Sequence, residues 1–355
     1  MIPQIVFTYF IFILLVVLFH SFGGSPPPIN YFLYILLKGV NAIVGYFFVL
    51  SGFVLTINYY NKQPLNLKRY LTSRFARIYP VYFAALLMWI LPPMNKGYDL
   101  HELIKIILTL FLVQSWYPPY NMTYNYPTWF LSVLLFFYLI FPYVLAYVTN
   151  KKGTQIFLLA SAVWIFSAIL LFTYYNKPAF IINHNEFYDF TLFNPIIMYL
   201  SAFIIGIAGG IFVVRNKDLK YPDLIPAIMI VISLIIIWFI LSLDTRITGG
   251  RLFYPNGLLS PLFLMLIIGL SLDKTILSQC LSNKLFIALG NISYSMYIFH
   301  IPIRLLIGHF FRISIMKSSL SLISYIIILI FCSSIIYLFF EKPMRKYIVS
   351  IFNKT

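Results

Sequence analysis

The chain has 355 residues, 61% hydrophobic, 19% aromatic and 10% charged, with 25 Lys and Arg against 9 Asp and Glu for a formal charge of +16. Such a composition lacks the polar surface that a water-soluble body of this size requires. The basic residues stand in short groups between apolar runs, which speaks against a nucleic-acid partner and for membrane topology, and Cys280 and Cys332 offer neither a disulfide framework nor metal-ligand spacing.

Apolar runs between polar breaks, most of them close to the ~20 residues that cross a hydrocarbon core of about 30 Å, predict helices at 5–22, 36–58, 78–91, 128–148, 154–174, 193–214, 224–242, 256–272, 286–310 and 320–339. The expectation is an all-α, polytopic bundle of about ten transmembrane helices, forming a single membrane-embedded domain over 1–355 with no fused extracytoplasmic domain. The first run lacks a positive n-region and is read as a span, not a signal peptide. Leu103 to Val113 is too short to cross comfortably and leads into the polar, aromatic stretch Trp116 to Pro127, so it is read as re-entrant or interfacial. With the N-terminus inside, the inner segments collect most of the lysines and arginines, among them Lys62, Lys68, Arg69, Arg74, Arg77, Lys151, Lys152, Arg215 and Lys342 to Lys346. That bias places both termini in the cytoplasm.

Taken in chain order, the first chemistry-bearing residue is His20, near the outer end of the first helix in LLVVLFH. An ionisable group there needs a cavity or a partner, which makes it a functional candidate. Its neutral imidazole could act as a general base on an acceptor hydroxyl; a histidine solvated at the interface is the equally open alternative. In GYFFVLSGFVL, Ser51 and Gly52 interrupt an apolar span, where small residues suit close helix packing better than catalysis. Arg74 and Arg77 in RFARIYP share a helix face and could hold phosphate oxygens through paired hydrogen bonds, or simply anchor the helix to headgroups. Trp129 and Ser132 open a helix that re-enters from the outer face, the tryptophan fitting an interfacial belt. Ser293, Tyr294, Ser295, Tyr297 and His300 give the LGNISYSMYIFH span more polar groups than any other, which predicts a network inside the bundle. The tail FEKPMRK reads as a stop signal and headgroup contact.

Taken together, His20, FFVLSGF at 47–53, RFARIYP at 74–80, the tryptophan helix at 129–138, SYSMYIFH at 293–300 and EKPMRK at 341–346 resemble the acyltransferase family 3 membrane proteins over most of the chain. The resemblance implies a multi-pass protein of the bacterial inner membrane that acylates cell-surface carbohydrates. It implies an acyl-CoA donor, most simply acetyl-CoA, at the cytoplasmic side, with Arg74 and Arg77 matching the pair that contacts the coenzyme's phosphates and His20 matching the catalytic histidine. It implies no metal, and partners limited to membrane lipid, acyl-CoA and a carbohydrate acceptor. Three positions depart from the family pattern. Tyr9 stands where an arginine usually precedes the histidine, and Phe130 and Leu134 stand where many relatives have serine and glutamate.

The leading expectation is therefore acyl transfer to a carbohydrate hydroxyl, with His20 as base or as the site of an acyl-histidine. The arginine pair and His20 are expected to open onto one passage from opposite ends. A transporter or flippase for a lipid-linked sugar or acyl group would use a similar basic mouth, and a silent envelope-assembly scaffold would need none of this chemistry. Repeated halves with broken helices, the usual mark of a transporter, are not evident in the sequence.

Overall fold

The computed structural model describes residues 2–22, 30–90, 100–175, 194–219, 221–248, 257–311 and 319–352, without the side chains of 118, 171–175 and 311. Its helices are α1 (Pro3–Ser21), α2 (Tyr31–Lys38), α3 (Val40–Tyr59), α4 (Leu67–Ile90), α5 (Leu100–Leu110), α6 (Trp129–Thr149), α7 (Gly153–Tyr175), α8 (Pro195–Arg215), α9 (Leu224–Thr248), α10 (Ser260–Leu272), α11 (Ile276–Leu281), α12 (Lys284–Phe311), α13 (Ser319–Ile336) and α14 (Lys342–Phe352). Eight of the described helices are long and apolar enough to cross a membrane. The long α4, whose first half carries four cations, and the shorter apolar α10 complete the order of spans expected from the sequence.

The protein is thus a polytopic, all-α membrane protein. Two spans differ from their apolar runs, for one reason. Hydropathy stops at the first charges, whereas a helix continues as long as its backbone bonds can be made. Hence α4 starts at Leu67 and carries Arg74 and Arg77 within it, and the last span passes through a π-helical turn, Tyr337–Glu341, into α14. Within the tail read as a stop signal and headgroup contact, Glu341 is buried, whereas no residue of α14 is. The short α5 is amphipathic and leads into three short 3-10 turns between Gln114 and Thr128.

Glycines decide which helices touch. A Cβ on Gly52 of α3 would stand 2.2 Å from the Phe203 carbonyl oxygen of α8, and one on Gly206 would stand 2.0 Å from that of Val49. Backbone lies on backbone here, the close approach that small residues permit in lipid. Gly290 does the same for α12 against α1, where its Cβ would meet the Val6 carbonyl at 2.1 Å. The motif FFVLSGF therefore packs through its glycine, and the crossing at Gly290 holds together the two helices that carry His20 and His300.

The basic segments meet at one end of the bundle. Arg215 donates to the Tyr60 hydroxyl and to the carbonyls of Lys151 and Thr149, while Lys62, Arg69, Lys342 and Lys346 surround a single pocket. The basic-residue rule assigns this end to the cytoplasmic side. At the other end the 114–128 segment is tied down by Trp116 Nε1 to the Ser132 carbonyl (3.0 Å), by Ser115 N–H to Ser132 Oγ (3.1 Å) and by Asn194 Nδ2 to the Trp116 carbonyl (3.3 Å).

Candidate functional site

His20 lies in the last turn of α1 and pairs with His300 of α12, Nδ1 to Nε2 at 2.8 Å, with ring planes 7° apart. His300 is 1% exposed. Its Nδ1 lies 2.5 Å from the Tyr297 carbonyl oxygen one turn earlier. A carbonyl only accepts, so His300 Nδ1 carries the proton and its Nε2 presents a lone pair. His20 must then donate from Nδ1, which leaves the lone pair of its own Nε2 free. The backbone of α12 thus sets the tautomer of the half-buried His20 through His300.

Further groups brace this pair. Arg304, one turn past His300 on the same face, donates through Nη1 to the His20 carbonyl. The Tyr126 ring stands edge-on to His20 at 5.1 Å and 78°. Tyr325 donates to the His300 carbonyl (2.6 Å), Tyr297 donates through its hydroxyl to the Pro127 carbonyl, and Asn125 Nδ2 donates to the Ile298 carbonyl (2.9 Å). The 114–128 segment is in this way stitched to the histidine-bearing helices.

Below the pair, towards the basic end, lies an internal cavity of about 150 Å³. Tyr9, Ile13 and Val16 of α1, Ser51 of α3, Arg74 and Arg77 of α4, Tyr138 of α6, and Asn291, Ser293 and Tyr294 of α12 line it. Glu341 and Arg345 close its lower end. Arg74 is ringed by Tyr59, Tyr70 and Tyr138 at 5.7, 6.0 and 5.7 Å, a cation-π setting that holds its guanidinium in place. Arg77 and Tyr9 line the same space and lie within electrostatic range of one another. Glu341 accepts from Ser295 Oγ at 2.5 Å and faces both Arg77 and Arg345 within electrostatic range. Among the described residues neither arginine forms a close ion pair with it.

Tyr337, Glu341 and Arg345 also line a second, larger pocket of about 790 Å³ at the basic end, with Lys62, Arg69, Lys342 and Lys346 around it. Three residues thus belong to both spaces. The two form a sequence from a wide cationic mouth, past a lone carboxylate, to a narrow chamber holding two more guanidinium groups.

The sequence candidates divide accordingly. Arg74, Arg77, Ser51, Ser293 and Tyr294 line the cavity, with Ser293 bonded to the Gly290 carbonyl (2.7 Å) and Tyr294 to that of Ile78 (2.6 Å). His20 and His300 form the pair above it. Trp129 stacks on Tyr199 (5.8 Å, 26°), and Ser132 Oγ accepts from the Ser115 N–H, so neither is brought to the histidine pair by these contacts. The expected single passage is interrupted, since the cavity ends at Val16, Phe130 and Tyr297 and does not include His20. Residues that sequence reasoning did not name as site candidates are Tyr138, Arg304, Glu341 and Arg345, and Tyr9, noted there only as a departure from the family pattern, also lines the cavity. For Glu341 and Arg345 the signal was present, a carboxylate among cations just past an apolar run, but it also fits a plain stop signal.

A family model described as "Acyltransferase domain" matches residues 10–338. A Staphylococcus aureus (strain COL) protein named "Putative O-acetyltransferase" is 24% identical over 324 residues, 85% of this chain and 52% of that protein, and a namesake from strain MSSA476 matches to the same extent. "Acyltransferase MdmB" of Streptomyces mycarofaciens is 34% identical over 107 residues, covering 28% of this chain and 27% of that protein. The chain spans about half the length of the staphylococcal relatives. No solved structure matches it significantly.

Proposed function

The chain belongs to the acyltransferase domain family, and from that premise we propose that it transfers an acyl group, most simply acetyl, from cytoplasmic acyl-CoA to a hydroxyl of a cell-envelope carbohydrate. The observation that carries the reading is the distance between the phosphate-binding groups and the base. Tyr9 and Arg77 line the same cavity, and from Tyr9 to His20 the rise along α1 is about 16 Å at 1.5 Å per residue. A pantetheine arm, extended like a peptide of about four residues, spans roughly 14 Å. Phosphates at Arg74 and Arg77 therefore put a thioester within reach of the histidine pair. The donor set fits as well. Lys62, Arg69, Lys342 and Lys346 suit a polyanionic nucleotide at the mouth, and the guanidinium fork suits phosphate oxygens more closely than an ammonium does.

Acyl-CoA, when bound, supplies an activated thioester carbonyl whose C–S bond breaks as the new C–O bond forms. The protein's own groups handle the proton. His20 Nε2 takes it from the acceptor hydroxyl, the His20 Nδ1–H to His300 Nε2 bond steadies the resulting imidazolium, and the proton then goes to the departing sulfur. The Tyr297 carbonyl keeps His300 in the accepting tautomer throughout. Arg304 and Tyr126 fix the end of α1 so that the ring does not turn away. A carbohydrate would approach from the 114–128 side, where Trp116, Tyr117 and Tyr120 supply aromatic faces. Burial of the pair beneath that segment limits competing hydrolysis.

Labelled acetyl-CoA supplied to membranes containing the protein should give labelled envelope ester, and His20→Ala should abolish it while retaining donor binding. Unchanged ester formation in that variant would remove the base assignment. Donor-independent movement of sugar without ester would favour transport.

A further inference from the structure

The stripe of residues lining the cavity continues beyond the cavity itself. On α1 it runs through Tyr9, Ile13 and Val16, and the next residue on that face is His20. On α12 it runs through Asn291, Tyr294 and Tyr297, and the next is His300. Both helices therefore point the chamber at the histidine pair, yet the space closes one turn, about 6 Å, short of it.

An aromatic chain leads from the cavity lining to the pair, in which the Tyr297 ring lies 6.0 Å from that of His300 and Phe130 packs on Tyr297. Phe130 stands edge-on to Tyr297 (6.0 Å, 80°) and to Phe47 (5.8 Å, 68°), and leans on Phe48 at 4.6 Å. These partners differ in freedom. Tyr297 is fully engaged, its hydroxyl held by the Pro127 carbonyl and its own carbonyl by His300. Phe130 has no polar tie, because a benzyl side chain can make none. It also sits at the start of α6, next to the turn that ends at Thr128. Around it the chamber is apolar, lined by Ile13, Val16, Val44 and Leu134, in contrast to the arginine-bearing lower end.

We propose that Phe130, closed against Tyr297, is the residue that sets acyl-chain length and keeps water from the thioester until an acceptor is in place. This rests on the acyl-transfer reading above and adds to it a determinant. With the phosphates fixed at Arg74 and Arg77, the arm has a set length, so its acyl end arrives at the aromatic layer whatever the acyl group is. Each further methylene has to displace the Phe130 ring. A pocket distinguishes one methylene by about 10- to 200-fold, so a fixed ring at this point favours acyl groups of two or three carbons over longer ones.

The test is a one-pot competition of acetyl-CoA, butyryl-CoA and hexanoyl-CoA on membranes containing the wild type, Phe130→Ala or Phe130→Leu, with ester products and free CoA measured. The ratio of products is independent of expression level, and the leucine variant keeps the core filled should the alanine variant not fold. The wild type should prefer acetyl over butyryl. In either variant the butyryl-to-acetyl ratio should rise by about tenfold or more, and free CoA released without acceptor should rise with it. Acetyl transfer with an unchanged ratio and unchanged free CoA in the folded variants would overturn the role of Phe130 and leave acyl transfer standing. No ester from any donor in the wild type would overturn both.

Discussion

Replacing His300 by leucine removes the acceptor of the His20 Nδ1–H bond while filling most of the same space, at a position 1% exposed. The pair is 2.8 Å apart, and its strength matters most when His20 carries the acceptor's proton and the bond becomes charge-assisted. A hydrogen bond to a charged group contributes about 1.5–3 kcal/mol. At about 1.4 kcal/mol per factor of ten, kcat should fall roughly 10- to 150-fold. The KM for acyl-CoA should stay near the wild-type value, because His300 lies above the chamber that holds Arg74 and Arg77. His300→Gln, whose amide oxygen can accept from Nδ1–H, should recover part of kcat. Initial rates of label transfer from acetyl-CoA, measured over a range of donor concentrations in membranes, give both constants. A leucine variant with kcat within twofold of the wild type, or a defect confined to KM, would refute the idea that the α12 backbone sets the His20 tautomer.

Arg77→Lys should raise donor KM about tenfold or more with little change in kcat, since an ammonium cannot reproduce the paired hydrogen bonds of a guanidinium, and raising the salt concentration should weaken donor binding to the wild type; kinetics at two ionic strengths check both. Glu341→Gln leaves Arg77 and Arg345 without their carboxylate, so the melting temperature in detergent should fall, and saturating acyl-CoA should raise it by more in the variant than in the wild type because phosphate oxygens replace the lost charge. Gly290→Ala places a methyl 2.1 Å from the Val6 carbonyl oxygen, beyond what side-chain movement can relieve, and should cost at least the roughly 1–3 kcal/mol of an overpacked core, seen as loss of folded protein on size-exclusion chromatography or as loss of activity through separation of α1 from α12.

Hydropathy alone determined that this is a helical membrane protein and the order of its apolar helices, because lipid enforces long apolar helices with few exceptions. The spacing of Arg74 and Arg77 was enough to put them on one face, and the isolated His20 was conspicuous by its burial cost. What no local pattern contained was the partner of each group. His20 and His300 are 280 residues apart in the chain and meet because Gly290 lets α12 lie on α1. Tyr9 stood out in the sequence only as a replaced arginine, and folding is what puts it in one chamber with Arg77. Glu341 looks like part of a stop signal until the π-helical turn directs it between two arginines. Composition and periodicity report how each residue relates to solvent and to its own helix, whereas a site is made of contacts between helices. Those contacts are set by a few close backbone crossings, so only the tertiary structure decided which polar groups share a chamber and where an aromatic layer interrupts it.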